Sequence, residues 1–322
     1  MSASGPRVSV VIPCFNAEQW IGQAIESVYR QTWENVEIVV VNDGSTDSSL
    51  AEINRQKSDR LKLIDQPNRG QTSSLNRALS QCSGSFVQYL DADDALERDK
   101  IKHQMVRLQH HPDCIATSAW RVISSTETVK FADPEREIVG PFGERTPVDW
   151  LVENWWEGGG MMYPAMWLIP IAILQRAGPW DDELTLMNDT EFFTRVVLAA
   201  RAVLLCPESL SYYRKGHPSM SSIKTARAWR SYFRVTELCV DRLLAKECSD
   251  RTRRVASFMW QRLANSCYPH QRDLGSEAQR RAELLHSDRL WLPAGRYYNI
   301  ISAIFGWKVA RSLQVLARGG NA

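Results

Sequence analysis

The run Phe86-Val87-Gln88-Tyr89-Leu90-Asp91-Ala92-Asp93-Asp94 decides the reading of the fold. Its first half is apolar, aromatic and β-branched, the composition of a short buried strand. Its second half sets three carboxylates within four positions, where a strand gives way to a loop. On an extended chain alternate side chains share a face, so Asp91 and Asp93 are expected to point one way and Ala92 the other. Carboxylates held that close repel unless a cation sits between or beside them. Hard cations such as Mg²⁺ or Mn²⁺ take oxygen ligands, and Mg²⁺ commonly uses one or two protein carboxylates plus substrate phosphates. A solvated acidic turn is the plain alternative, and the rest of the chain decides between the two.

Three strand-like runs precede it. Val8–Ile12 is stopped by Pro13, and Asn16 with Gln19 three residues on reads as a helix cap before Trp20, Ile21, Ala24, Ile25 and Val28. Val36–Val41 ends in Asn42-Asp43-Gly44-Ser45-Thr46-Asp47, where glycine permits a sharp turn and Ser45 or Thr46 is expected to cap the next helix. Leu61–Ile64 leads into Gln66-Pro67-Asn68-Arg69-Gly70-Gln71 and a helix around Ser74–Ser80, and a further helix is expected over Arg98–Gln109. Strand–helix alternation predicts an α/β fold with a mostly parallel sheet and helices on both faces. In such sheets the ligand lies at the carboxyl ends of the strands. The clusters Pro13–Asn16, Asn42–Asp47, Asn68–Gln71 and Asp91–Asp94 all fall there, so four loops are expected to line one crevice. Neither Gly-x-x-x-x-Gly-Lys-Ser/Thr nor Gly-x-Gly-x-x-Gly follows the first strand, so a bound nucleotide needs carboxylates for base and ribose and a metal for its phosphates.

The formal net charge of +2 over 322 residues conceals an asymmetry. Residues 224–322 hold 18 Lys/Arg against 8 Asp/Glu, whereas residues 1–223 hold 21 against 29. A basic segment points to an anionic surface or partner. Seven scattered cysteines without a Cys-x-x-Cys pair suggest reduced thiols rather than a disulfide framework or a zinc site, hence a cytoplasmic setting. No apolar signal core opens the chain, and no segment approaches the ~20 apolar residues of a membrane span. Any membrane contact is then peripheral, at the inner face.

The runs Val8–Asn16, Val39–Asp47 and Leu90–Asp94, in that order and spacing, resemble the family 2 glycosyltransferases. The resemblance extends from about residue 8 to 220. It implies a GT-A fold over residues 1–222, followed by a basic helical region over 223–322. It further implies inverting transfer from a nucleotide diphosphate sugar, usually a UDP-sugar, to a hydroxyl acceptor. The acceptor would be a glycan or glycolipid of cell-surface or extracellular polysaccharide synthesis. On this resemblance Asp43 contacts the nucleoside, Asp91 lies near the ribose, and Asp93 is the main protein ligand of Mg²⁺ or Mn²⁺. Pro13, Phe15, Asn16, Gln71 and Ala92 belong to the motifs that line the donor site. An Asx turn would equally account for Asp43. In the third loop the familiar Ala-Arg-Asn run is replaced by Leu75-Asn76-Arg77; Arg69 is a candidate for phosphate binding, since a guanidinium matches phosphate, and an exposed loop cation explains it equally.

Leu186–Val196 resembles the acceptor-side segment of the family, where Glu-Asp opens a helix and the Asp is the catalytic base. Here Asn188 replaces the Glu and Asp189 remains. A carboxylate in the first helical turn is also what the helix dipole favours. Tyr212–Ser221 resembles the family's Tyr-Arg-x-His ending with one extra residue, which places His217 at the metal or a phosphate and Arg214 at the departing diphosphate. Trp155 and Trp156 stand beside the glycines of 157–162, as for sugar stacking at a hinge, and core packing explains them equally. Beyond residue 222 the pattern turns helical. Residues 294–316 mix aromatics with Arg296, Lys308 and Arg311, as a membrane interface does and as a packed appendage would. A nucleotidyltransferase would need a glycine-rich basic loop after the first strand. A non-catalytic binding module would have no need of all four of Asp43, Asp91, Asp93 and Asp189. No nucleic-acid-binding motif is present.

Overall fold

The computed structural model describes residues 5–127, 143–156, 160, 162–217, 225–288 and 296–317. Glu157–Gly159 and Met161 of the glycine hinge and Pro218–Ser221 of the Tyr-Arg ending lie outside these residues.

The chain runs β1 (Val8–Cys14), α1 (Ile21–Tyr29), β2 (Val36–Asp43), α2 (Ser49–Arg55), β3 (Leu61–Gln66), α3 (Gln71–Leu79), β4 (Phe86–Tyr89), β5 (Ala95–Leu96), α4 (Lys100–Leu108) and β6 (Cys114–Ser124). There follow β7 (Gly143–Arg145), α5 (Pro147–Trp155), β8 (Trp167–Pro170), α6 (Ile171–Ala177), α7 (Asn188–Ala199) and β9 (Ala202–Lys215). The C-terminal helices are α8 (Ala226–Lys246), α9 (Asp250–Cys267), α10 (Arg272–Leu285), α11 (Arg296–Phe305) and α12 (Trp307–Ala317).

The residues divide into two compact units. The first comprises Met1–Pro147, Met162–Asp182 and Arg195–Pro218, and the second Val148–Met161, Glu183–Thr194 and Ser219–Ala322.

In the first unit the strands order as β3-β2-β1-β4-β8-β6-β9-β5, with β7 on β9. The first four are parallel, and the runs that read as apolar strands are buried throughout β1 and nearly so in β2. The remainder is mixed: β8 is antiparallel to both β4 and β6, whereas β6 and β9 run parallel. The chain steps outward from β1 to β3 and then crosses back to β4. With right-handed crossovers that reversal sends α3 to the face opposite α1 and α2. The switch point therefore lies between β1 and β4, where α/β sheets bind ligands. Pairing between these strands ends at Val11 and Tyr89, closed by Leu90 N–H on Val11 O at 2.9 Å. Pro13 sits just past that point, still in register with Val41 of β2, where it withholds no bond from β4. Beneath the sheet's end, buried Lys100 donates to Gln88 Oε1, and Gln88 in turn donates to Ala165 O at 3.0 Å. Burial drives that lysine well below its ordinary pKa.

The second unit is helical. Trp155, Phe192, Phe193, Val235, Leu243, Phe258 and Trp260 are buried there. Thr225 caps α8 and a Ser249–Thr252 capping box opens α9. Ser231 Oγ accepts the Thr185 and Leu186 N–H groups at 2.9 and 3.1 Å, and so fastens the segment before α7 to α8. Among the described residues no helix is long and apolar enough to cross a membrane.

Candidate active site

The loops after β1 and β2 are laced together. Asn16 N–H donates to Ser45 Oγ at 3.0 Å, and Asn16 Oδ1 accepts from Thr46 N at 2.8 Å. Glu18 N–H donates to Asp47 Oδ2, and Ser48 N–H to Glu18 Oε2. The expected helix caps are thereby corrected. Asn16 stands in the left-handed region at φ 49°, with α1 starting five residues later, and Ser45 and Thr46 serve Asn16 rather than α2. Short polar side chains satisfy whichever backbone donor is nearest, and here a neighbouring loop is nearer than the helix. Phe15 and Asn16 are exposed beside this junction.

Asp43, 3% exposed at the end of β2, takes three donors from the last residue of β3 and the loop after it. Oδ1 accepts Gln66 Nε2 at 2.8 Å and Arg69 N at 2.9 Å, and Oδ2 accepts Gly70 N at 2.8 Å. The carboxylate thus shapes the loop, and the Arg69 side chain is exposed. Gly44 makes the approach possible: at φ 70°, a Cβ there would lie 2.7 Å from Asn68 N.

Residues 91–94 form a turn closed by Asp94 N–H on Asp91 O at 3.1 Å. The strand alternation expected for Asp91 and Asp93 therefore does not apply, because β4 has ended at Tyr89. The three carboxylates part company. Asp91 Oδ1 accepts Gln71 Nε2 at 3.2 Å, across from the start of α3. Ala92 is buried. Asp94 turns inward, 2% exposed, and its Oδ1 accepts the Arg214 N–H at 2.8 Å. Asp93 remains half-buried, with Oδ2 3.1 Å from His217 Nε2. The His217 ring packs on Trp20 at 4.5 Å between centroids, and Trp20 Nε1 donates to Ser125 O.

Burial raises the Asp93 carboxyl, against the pull of His217 and Arg214. Asp94 is raised well above the carboxylate range, by burial first and then by the charges of Asp93 and Asp91. Carboxyls raised in this way are costly to ionise, and a cation beside them would relieve that cost. Among the described residues no group of three or more His, Cys, Asp or Glu side chains is gathered for a metal. The pair Asp93 and His217 nevertheless fits one. Ligands at 2.0–2.1 Å in an octahedron have neighbours about 3.0 Å apart, close to the spacing seen, and the remaining positions would fall to water and phosphate.

Arg214 corrects a second expectation. It is 3% exposed, and its guanidinium donates to Asp93 O at 2.8 Å, Ser124 O at 2.9 Å, Glu127 O at 2.7 Å and Gln23 Oε1 at 2.6 Å. With four acceptors in place it braces the acidic turn from behind instead of reaching a diphosphate. Trp20, read from the sequence only as a member of a helix, and Gln23, not singled out there, lie against His217 and Arg214. Tyr163, Trp120 and Tyr213 also cluster beside it, with ring centroids 5.2–6.3 Å apart. Tyr212 lies opposite Ala95, one residue past the acidic turn. Trp120 is 38% exposed and offers an aromatic surface, whereas Trp155, for which sugar stacking and core packing stood as equal readings, is 1% exposed in the helical unit's core. Trp156 is edge-on to Phe258, with Arg254 over its ring.

In the second unit Asp189 lies in the first turn of α7. Its Oδ1 accepts Thr190 N at 2.7 Å, and its own N–H donates to Asn188 Oδ1 at 2.8 Å. Burial raises its carboxyl, opposed by the Thr190 donors. Glu191 is paired with Arg242 at 3.0 Å.

A reversed-order sheet with acidic loops at its switch point is the architecture of the GT-A glycosyltransferases. S. aureus TarS in complex with UDP-GlcNAc superposes with a TM-score of 0.71 at 18% identity, over 98% of this chain and 92% of that one. Mannosyltransferase PcManGT from Pyrobaculum calidifontis, in complex with GDP-Man and Mn²⁺, gives a TM-score of 0.55 at 18% identity, over 99% and 88%. Residues 9–162, just under half of the chain, match glycosyl transferase family 2. Glycosyltransferase GlyA of Streptococcus pneumoniae serotype 4 is 33% identical over 124 residues, which are 38% of this chain and 18% of GlyA. The match spans less than half the length of each of the first curated relatives.

Proposed function

We propose that the chain is an inverting glycosyltransferase that moves a sugar from a nucleotide diphosphate, a UDP-sugar foremost, to a hydroxyl of a glycan or glycolipid. It would act at the cytoplasmic face of the membrane in cell-surface or extracellular polysaccharide synthesis. The observation that carries the reading is the convergence of Asp43, Asp91, Asp93 and His217 at the strand ends around one switch point. In this reading the loop held by Asp43, with Phe15, Asn16, Arg69 and Gln71 nearby, receives the nucleoside, and Asp91 meets the ribose. Asp93 and His217 would hold Mg²⁺ or Mn²⁺. Such an ion, when bound, offsets the charge that builds on the departing diphosphate. Arg214 and Trp20 keep Asp93 and His217 in place. Asp189 takes the acceptor proton as that oxygen attacks opposite the leaving group, and its raised pKa moves it toward the range that suits a general base. The complexes of TarS with UDP-GlcNAc and of PcManGT with GDP-Man and Mn²⁺ support a nucleotide-sugar donor and a divalent ion. A panel of nucleotide sugars, scored for thermal stabilisation with and without Mn²⁺ or Mg²⁺, tests it. Stabilisation by one UDP-sugar only in the presence of the ion is expected. No response to any member would overturn the reading.

A further inference from the structure

The last two helices present an apolar surface that the fold leaves uncovered by the described residues. α11 and α12 pack on each other across Gly306, at φ 84°. One side is anchored in the helical unit. Tyr298, Ala310 and Val315 are buried, Tyr298 bonds Asn265, and the Trp307 ring meets Tyr268 at 5.3 Å. The other side carries Tyr297, Ile300, Ile304 and Phe305 on α11 and Val309, Leu313 and Leu316 on α12, all exposed, with Ile304 and Phe305 at 67%. Their spacing of three, four and one, then four and three, gives each helix an apolar stripe. Scattered exposed apolar residues are ordinary, but a contiguous set of this kind marks an interaction surface.

Charge chooses the partner. The last acidic residue of the chain is Asp288, and beyond it stand Arg289, Arg296, Lys308, Arg311 and Arg318. A second copy meeting this face about a two-fold axis would bring like charges together. Lys308 lies over the Tyr268 and Trp307 rings and Arg311 donates to Tyr268 O, so both cations are held at the base of the stripe. An apolar stripe on helices whose charged residues are all cationic matches an anionic lipid surface, with aliphatic and aromatic tips among the acyl chains. The helices, about 15 Å and 17 Å long, are too short for a hydrocarbon core of about 30 Å. We infer that the exposed face of α11 and α12 is a monotopic membrane anchor for anionic bilayers. This gives the proposed glycolipid or glycan acceptor's setting a structural element. It is read without turnover, so its failure and that of the glycosyltransfer reading are separable.

The experiment sediments the full chain with vesicles of phosphatidylcholine alone or mixed with phosphatidylglycerol. The wild-type chain is expected to sediment with the mixed vesicles and much less with the neutral ones, and to be released by salt. Ile304→Asp with Phe305→Asp should abolish sedimentation while the melting temperature is kept. Leu316→Asp serves the same purpose should that pair fold poorly. Lys308→Gln with Arg311→Gln should weaken binding to mixed vesicles roughly 30-fold at low salt. Val106→Asp, on the exposed side of α4, should change nothing. The inference is overturned if mixed vesicles fail to sediment the chain, or if binding ignores the α11–α12 substitutions. A dimer in light scattering that Ile304→Asp with Phe305→Asp dissolves would also overturn it.

Discussion

The acidic turn after β4 and the acidic start of α7 carry the same chemical group, but they are held in opposite ways. At Asp91–Asp94 the partners come from far along the chain. Gln71 reaches Asp91, the Arg214 N–H reaches Asp94 from 120 residues away, and Arg214 is itself held by Gln23, 191 residues distant. At Asp189 the bonded partners are its own neighbours, Asn188 and Thr190. A carboxylate held by long-range contacts has its direction set by the whole sheet. One held by its own helix start is a nearly autonomous module, which the sequence can place but whose surroundings it cannot.

The largest expected effect tests the first region. Asp93→Ala should remove ion-dependent donor binding and lower turnover on the order of 10³-fold, as loss of a Lewis acid worth several kcal/mol requires. Unchanged thermal stabilisation by donor plus Mn²⁺ would break the assignment. Next, Asp189→Asn should lower kcat by about 10²- to 10³-fold and leave the donor-induced thermal shift intact. The same residue sets a pH limb. The base works ionised, and its pKa is raised, so kcat/KM should climb with pH through a midpoint above that of an ordinary aspartate. A limb at the ordinary value would show that the burial is relieved in the working enzyme.

Arg214→Met separates a brace from a diphosphate contact. Removing a buried guanidinium from four acceptors should cost about 3–5 kcal/mol and lower Tm with or without donor. A kcat loss at unchanged Tm would restore the diphosphate role. The smallest effect belongs to the Asp43 loop. Gly44→Ala forces a Cβ against Asn68 N at φ 70° and should cost at least about 1–2 kcal/mol, with weaker donor binding. A neutral outcome would mean that the loop yields without disturbing Asp43.

Much of the first unit was legible because its signals are local. The apolar runs at Val8, Val36, Leu61 and Phe86 are strands, with the polar clusters at their carboxyl ends. What was not legible was the use each polar residue is put to. Asn16 and Ser45 have the composition of helix caps and instead bond each other, because two loops meet there. Arg214 looked available for phosphate, but burial and four acceptors give it other work. Trp20 gave no signal as the support of His217, since only the fold brings the two rings together.

By itself the sequence determined the parallel βα start, the positions of its acidic loop ends, the family motifs and the acid-free C-terminal stretch. Periodicity, turn chemistry and charge act over a few residues and can be read there. Only the tertiary structure decided which of three adjacent aspartates turns inward, which meets His217, and which apolar side of α11 and α12 stays uncovered. Those choices follow from burial and from partners supplied by distant segments, and no window of sequence contains them.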